Sequence, residues 1–330
     1  MISRRDVFFG SAAGLALPAW VTVPRSAQAQ SSKITRMLVG FPAGGGSDVA
    51  ARGLVTRIQH AYPGGMIVEN KAGAGGRLAI EQLKNSPPDG SVMLFTPDFP
   101  ITIYPHSYRK LSYDPVKDLT PVAVCAKTSL AFVVGPAVPD NVKTVADFVA
   151  WARANPKQAA FSSSAAGATP HFAGVMFARA AGVDLLHVPY NGGAPAMQDM
   201  LGGQIASGFP GVGEALAQLG TGRLRVLATT GAQRSKFLPD VPTMTESGYR
   251  DVVAEVWVGV FMPPKTPPGV VAQASNVINE ALKTPEFRTL YAKFAMDPQP
   301  GSPESFAALI KADIAAWAPI VKASGFTADD

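Results

Sequence analysis

LVGFPAGGGSDVAAR, residues 38–52, runs from a β-rich segment through a glycine loop into a helix. The segment 35–41 is predicted as a strand, and Ala51, Leu54, Val55 and Ile58 share one face of a helix predicted over 47–59. Between them, Gly44, Gly45 and Gly46 let the backbone approach a ligand closely and turn several N–H groups into one concavity. The helix start at Ser47 or Asp48 adds partial positive charge. Such a turn favours an anion, carboxylate or phosphate; the alternative is a tight turn that Ser47 or Asp48 merely caps. No Gly-Lys-Ser/Thr follows, so this is not a P-loop, and the spacing does not match the dinucleotide fingerprint.

The same arrangement recurs in FSSSAAGATPHFAG, residues 161–174, where a strand runs into Ser162, Ser163 and Ser164 and a helix begins near Pro170. Both loops offer neutral donors and few charges. Two such loops from distant parts of the chain suggest a cleft closed from both sides. Phe41, Phe95, Tyr190, Phe209 and Trp257 fall near predicted strand ends, where ligand crevices of α/β sheets open. For each aromatic alone, core packing is the competing role.

Short β-rich runs alternate with amphipathic ones along the whole chain, an α/β pattern. Further strands are predicted over 66–69, 92–96, 122–126, 130–134, 159–162, 185–188, 225–229 and 257–261. A helix over 267–282 carries Val270, Val271, Ala274, Val277, Ile278 and Ala281 on one face. The last helix starts from Ser302 as N-cap with Pro303 at its first position. Glycine and proline punctuate the elements and form no linker.

The 330 residues are 47% apolar and 16% charged, enough to bury a core and incompatible with disorder. Arg4 and Arg5 precede an uncharged run, 7–23, and Ala27-Gln28-Ala29 is an A-x-A cleavage pattern. The expectation is an exported chain cut after Ala29, through a Tat-type leader or an ordinary Sec leader that happens to carry two arginines. Losing Arg4, Arg5, Arg25 and Asp6 lowers the net charge from +5 to +3, with the remaining basic residues scattered. That does not point to a nucleic-acid partner. Cys125, the single cysteine, reads as a buried thiol.

Metal and catalytic patterns are lacking. The four histidines show no ligand spacing, and Cys125 has no cysteine partner. Asp48, Asp98, Asp199 and Glu214 form no recognisable carboxylate pair. Ser164 with His171 is the one nucleophile–base pairing to consider. It lacks a Gly-x-Ser-x-Gly elbow, and His171 falls in the first turn of a predicted helix. No catalytic residue, metal or cofactor is therefore expected.

Six ordered blocks resemble the Bug-type extracytoplasmic solute receptors, the binding components of tripartite tricarboxylate transporters. They are FPAGGGSDVAAR at 41–52, ENKAGAGG at 69–76, LSYDPVKDLTPVAV at 111–124 and VPYNGGAPAMQDMLGGQ at 188–204. GRLRVLATTGAQRSKFLPDVPTMTESGY at 222–249 and Trp257 followed by Pro263–Pro268 complete the set. The resemblance covers nearly the whole mature chain. It implies a type II periplasmic-binding-protein fold, with two α/β domains, a ligand cleft between them and two crossover segments. Domain 1 would comprise 30–129 and 254–330, and domain 2 would comprise 130–253, after a 1–29 signal peptide.

The resemblance further implies a periplasmic protein that binds a dicarboxylate, tricarboxylate, amino acid or aromatic acid and serves membrane permease subunits. The family's grip maps onto the loops at Phe41–Asp48 and Ser162–Thr169. Gly44, Gly45, Gly46 and Ser47 would donate to one carboxylate, with Ser163, Ser164 and Thr169 opposite. Phe41 and Tyr190 would wall the ligand, while Asp48 either orients a water or amino group or caps the helix. A ligand-presenting sensor and a secreted Ser164/His171 hydrolase are the alternatives. The segments Gly208–Gly211 and Thr96–Pro100 depart from the family pattern, which leaves the identity of the acid open.

Overall fold

The computed structural model describes residues 33–328. The leader, its arginine pair and the cleavage position after Ala29 lie outside them. The described strands are β1 (Thr35–Val39), β2 (Met66–Asn70), β3 (Val92–Pro97), β4 (Thr120–Ser129), β5 (Ala131–Val134), β6 (Ala160–Ser163), β7 (Leu186–Pro189), β8 (Ser207–Gly208), β9 (Arg225–Thr229), β10 (Glu255–Met262) and β11 (Asp297–Pro298). The described α-helices are α1 (Gly46–Ile58), α2 (Arg77–Lys84), α3 (Phe99–Thr102), α4 (Tyr104–Ser107), α5 (Val145–Ala154), α6 (Thr169–Ala181), α7 (Gly193–Leu201), α8 (Val212–Leu219), α9 (Pro268–Lys283), α10 (Pro285–Ala292) and α11 (Pro303–Ser324).

The strands form two sheets built on one plan. The first runs β11-β4-β10-β3-β1-β2 and the second β7-β6-β8-β5-β9. In each, three parallel strands are followed by an antiparallel one, β10 or β5, which is the strand the chain enters on leaving the other sheet. The central parallel strands are apolar on both faces because helices cover both. Met37, Leu38 and Val39 of β1 are fully buried.

On one face of the first sheet, α1, α9, α10 and α11 bring Leu54, Ile278, Tyr291 and Trp317 into a common core with Met37, Val39 and Phe95. The C-terminal helices thus return to the sheet of the N-terminal strands, a path that periodicity alone does not give. Leu83, Phe261 and Phe306 fill the other face. The second sheet is packed around Phe132, Phe148, Phe161, Phe177 and Phe209 on one side and Met200, Val212 and Leu224 on the other.

Local signals explain several helix starts. Thr144 and Asp147 make a reciprocal capping box at α5, with side-chain-to-amide distances of 3.1 and 2.9 Å. Ser302 accepts from Ser305 N–H at 3.2 Å at the start of α11, with Pro303 at its first position.

The two passages between the sheets are tied to each other by Thr230. Its amide donates to Leu130 O at 2.9 Å, its Oγ1 donates to Ala254 O at 2.5 Å, and that same oxygen accepts from Leu130 N–H at 3.0 Å. Leu130 separates β4 from β5, and Ala254 precedes β10. A single fully buried threonine therefore joins the points at which the chain leaves and re-enters the first sheet.

Candidate functional site

Four strand-to-helix turns converge between the sheets: β1–α1, β6–α6, β7–α7 and β8–α8. They surround a cavity of about 250 Å³. Its lining includes Gly44, Gly45, Gly46 and Ser47 from the first turn and Ser162, Ser163, Ser164 and Pro170 from the second. Gly192, Gly193 and Ala194 come from the third, and Pro210, Gly211 and Glu214 from the fourth. Phe41, Phe99, Met197, Met200, Phe209 and Met296 make most of the remaining wall apolar. Each turn presents a helix N-terminus, where the first amides have no partner within the helix and the macrodipole is positive. An anion is favoured there even without a cationic side chain.

The glycine loop is held in shape from behind. Asp48 is buried, at 2% exposure, and accepts from Gly44 N–H at 3.0 Å, Arg52 Nε at 3.0 Å and Asn70 Nδ2 at 2.8 Å. Asn70 also donates to Phe41 O at 3.0 Å. Burial opposes ionisation of Asp48, but Arg52, Gly44 N–H and Asn70 together outweigh it and hold the carboxyl below its ordinary range. Gly44 has φ +85°, a conformation that costs other residues steric strain. The first helical hydrogen bond of α1 is Val49 N–H to Gly45 O, at 3.0 Å. The amides of Gly46, Ser47 and Asp48 therefore stand outside the helical ladder, those of Gly46 and Ser47 in residues that line the cavity.

The serine loop does not form the Ser164–His171 pairing that is the alternative to a binding site. His171 accepts from Gly167 N–H at 3.1 Å through Nδ1 and stacks on His187 with ring centroids 3.7 Å apart. The histidine within reach of a serine is His187, whose Nε2 lies 2.7 Å from Ser163 Oγ. Ser163 spends its single proton on Ala165 O, at 2.8 Å. Nε2 of His187 must then donate, and it cannot accept the serine proton as a base would. Burial pushes both imidazoles below their ordinary range, to about 3 for His171, where His187 adds to the effect, and about 4 for His187.

The expected site residues divide into two sets. Phe41, Gly44, Gly45, Gly46, Ser47, Ser163 and Ser164 line the cavity. Asp48, Thr169 and Tyr190 lie outside the lining. Asp48 faces away into the hydrogen bonds just described. Thr169 is fully buried at the start of α6 and donates to Asp98 Oδ2 at 2.8 Å. Tyr190 donates to Asp199 Oδ2 on α7 at 2.9 Å. Of the aromatics expected at strand ends, Phe41 and Phe209 are in the lining, whereas Phe95 and Trp257 are buried in the core.

Sequence reasoning missed the part played by Glu214. Its Oε1 accepts from Gly46 N–H at 3.0 Å and its Oε2 from Gly211 N–H at 3.2 Å. The second bond is a capping-box contact at α8, which the Gly-x-x-Glu spacing announces weakly. The first spans 168 positions of sequence and has no local signal. Among the described residues, Glu214 is the one charged side chain in the cavity lining. Burial raises its carboxyl above the ordinary range, and the two N–H donors offset this only in part. The described residues hold no cluster of His, Cys, Asp and Glu arranged for a metal ion, and none of their helices is long and apolar enough to cross a membrane.

Comparison with known proteins gives a consistent answer. Residues 50–326 match the model of the tripartite tricarboxylate transporter family receptors. Protein BugT of Bordetella pertussis is 30% identical over 308 residues, covering 93% of this chain and 94% of its own. The periplasmic binding protein BugD superposes with a TM-score of 0.84 at 28% identity, over 90% of this chain and 99% of that one. An R. palustris protein solved with adipate superposes with a TM-score of 0.85 at 28% identity, over 89% and 98% of the two chains.

Proposed function

The chain belongs to the tripartite tricarboxylate transporter receptor family, whose members are periplasmic solute-binding proteins, and on that premise we propose that it captures a small organic carboxylate for a membrane permease. The observation that carries this reading is the convergence of the glycine loop and the serine loop on one cavity whose lining, among the described residues, holds no cationic side chain. A carboxylate there is held by amides at helix starts and by hydroxyls. The amides of Gly46 and Ser47 grip one oxygen or its bridging water, with Gly44 and Gly45 shaping the loop. Ser164 closes from the opposite sheet, while Ser163, whose hydroxyl is spent on Ala165 O, holds the loop in shape. Phe41 supplies apolar wall, and Asp48 fixes the loop from behind. Thr169 and Tyr190 support the second side indirectly, through Asp98 and Asp199.

Capture proceeds without covalent chemistry, by closure of two lobes taken as 30–129 with 254–330 and 130–253, about the segments that Thr230 ties together. The acid is of the dicarboxylate class. A structural neighbour at 28% identity was solved with adipate, and a cavity of about 250 Å³ walled by Phe and Met accommodates a short methylene chain between polar ends. Export with cleavage after Ala29 and delivery to permease subunits complete the proposal; the A-x-A pattern and the family membership support them.

Ser164 tests the reading. It lines the cavity, and its contact with the neighbouring turn is made by the main chain, Ser164 O accepting from Gly192 N–H at 2.8 Å. Ser164→Ala should weaken adipate binding by about 2- to 10-fold, the equivalent of one net hydrogen bond, and leave the melting temperature of the free protein unchanged. Titration calorimetry beside a thermal melt reads both quantities. Undiminished affinity would remove Ser164 from the site.

A further inference from the structure

Glu214 stands where an incoming carboxylate is expected. It rises from the first turn of α8, on the second sheet, and crosses the cleft to the first amide of α1, on the other side. It also lies against the start of α7: a Cβ added at Gly193 would stand 2.5 Å from Glu214 Oε1, and one added at Gly46 would stand 3.0 Å away. Glycine at these two positions leaves room for the carboxylate. One side chain thus brings a carboxylate group to the helix starts of α1, α7 and α8 together. Its contact with Gly46 N–H is of the kind that the proposed ligand would make.

We propose that Glu214 is an internal carboxylate that competes with the ligand for the Gly46 amide, and that this competition makes it the residue that sets affinity and selectivity for acids. This rests on the carboxylate reading of the cavity given above. The exchange is one anion for another at the same donor. Gly46 N–H keeps a hydrogen bond throughout, so neither partner leaves an unsatisfied buried amide. The net affinity is the difference between the two carboxylates. A ligand must be better placed than Glu214 with respect to Ser47 and Ser164 to displace it. A monoanion that cannot reach the serine loop gains only what it costs to move Glu214 aside. An acid whose second polar group meets the serines gains more. Selectivity for a ligand long enough to touch both loops follows from a residue that need not itself touch the bound ligand.

The contact also joins the two sheets directly, since Gly46 belongs to the first and Glu214 to the second. Exchange at this amide is therefore linked to the relative position of the lobes, and a ligand that displaces Glu214 must replace the bridge that it makes.

The test uses adipate and its neutral diamide, adipamide, as probes in titration calorimetry against the full mature chain and its Glu214→Gln and Glu214→Ala variants. Removing the competing charge should tighten adipate binding by about tenfold or more, a change that corresponds to about 1.4 kcal/mol, and adipamide binding by clearly less, since only the acid is relieved of repulsion from a second carboxylate. Glu214→Gln keeps the size of the side chain and preserves the test where Glu214→Ala folds poorly. Equal tightening for acid and amide would mean that the substitution merely enlarges the cavity and would overturn the proposal. Unchanged or weakened adipate binding in both variants, with the wild type binding, would overturn it too while leaving the carboxylate reading intact. Failure of wild type and both variants to bind any acid of a mono-, di- and tricarboxylate panel would overturn the carboxylate reading, and the competition with it.

Discussion

Asp98 shows how much a single residue can carry outside the cavity. It is 2% exposed at the end of β3, and its Oδ2 accepts from Thr169 on the second-sheet side. Burial raises its pKa to about 8, with the nearby Asp313 adding to the shift and Thr169 opposing it. The folded protein therefore binds a proton at Asp98 between about pH 4 and pH 8 that the unfolded chain has released. The stability that Asp98 contributes falls as pH rises through that window and levels off above it. Asp98→Asn keeps an oxygen for Thr169 and removes the titration. Between pH 5 and pH 8 its melting temperature should therefore gain on that of the wild type, over the background that both share from the buried neutral His171 and His187, and parallel profiles would refute the shift. Residue identity alone gave the glycine and serine loops as donors, because three glycines at a helix start and three serines at a strand end are chemically conspicuous. It did not give the orientation of Asp48, Thr169 or Tyr190. Those side chains turn away because each finds a hydrogen-bond partner outside the cavity: Asn70 and Arg52, Asp98, and Asp199.

At the scale of elements, strands of four residues or more were legible and the two-residue ones were not. Strands predicted at 66–69, 92–96 and 225–229 appear at Met66–Asn70, Val92–Pro97 and Arg225–Thr229, and the helix predicted over 267–282 appears as Pro268–Lys283. The two-residue strands β8 and β11 left no pattern, because two positions carry no period. Close approaches between elements were equally silent. A Cβ at Gly213 in α8 would stand 1.9 Å from Phe294 O, a backbone atom just beyond α10. Since α8 packs on the second sheet and α10 on the first, Gly213→Ala should force the two sides apart at the cavity rim. The expected result is a weaker complex with adipate and a lower melting temperature, by about 1–3 kcal/mol of overpacking. Calorimetry and a thermal melt that matched the wild type would show that the two elements separate freely.

For the molecule as a whole, the order of the six blocks pointed to two α/β halves, and the two sheets share one strand plan with an antiparallel crossing strand in each. What the sequence could not convey is the bridge from Glu214 to Gly46, because a contact between residues so far apart depends on how the halves meet. The account rests on capture of a carboxylate between them. The most direct test is a thermal-shift comparison of adipate, succinate and citrate with the matching neutral amides, on the mature protein. A ligand at a hundred times its dissociation constant adds about 2.7 kcal/mol of stability. The account predicts a raised melting temperature with at least one acid and none with its amide. An equal rise with acid and amide, or no rise with any acid, would contradict it.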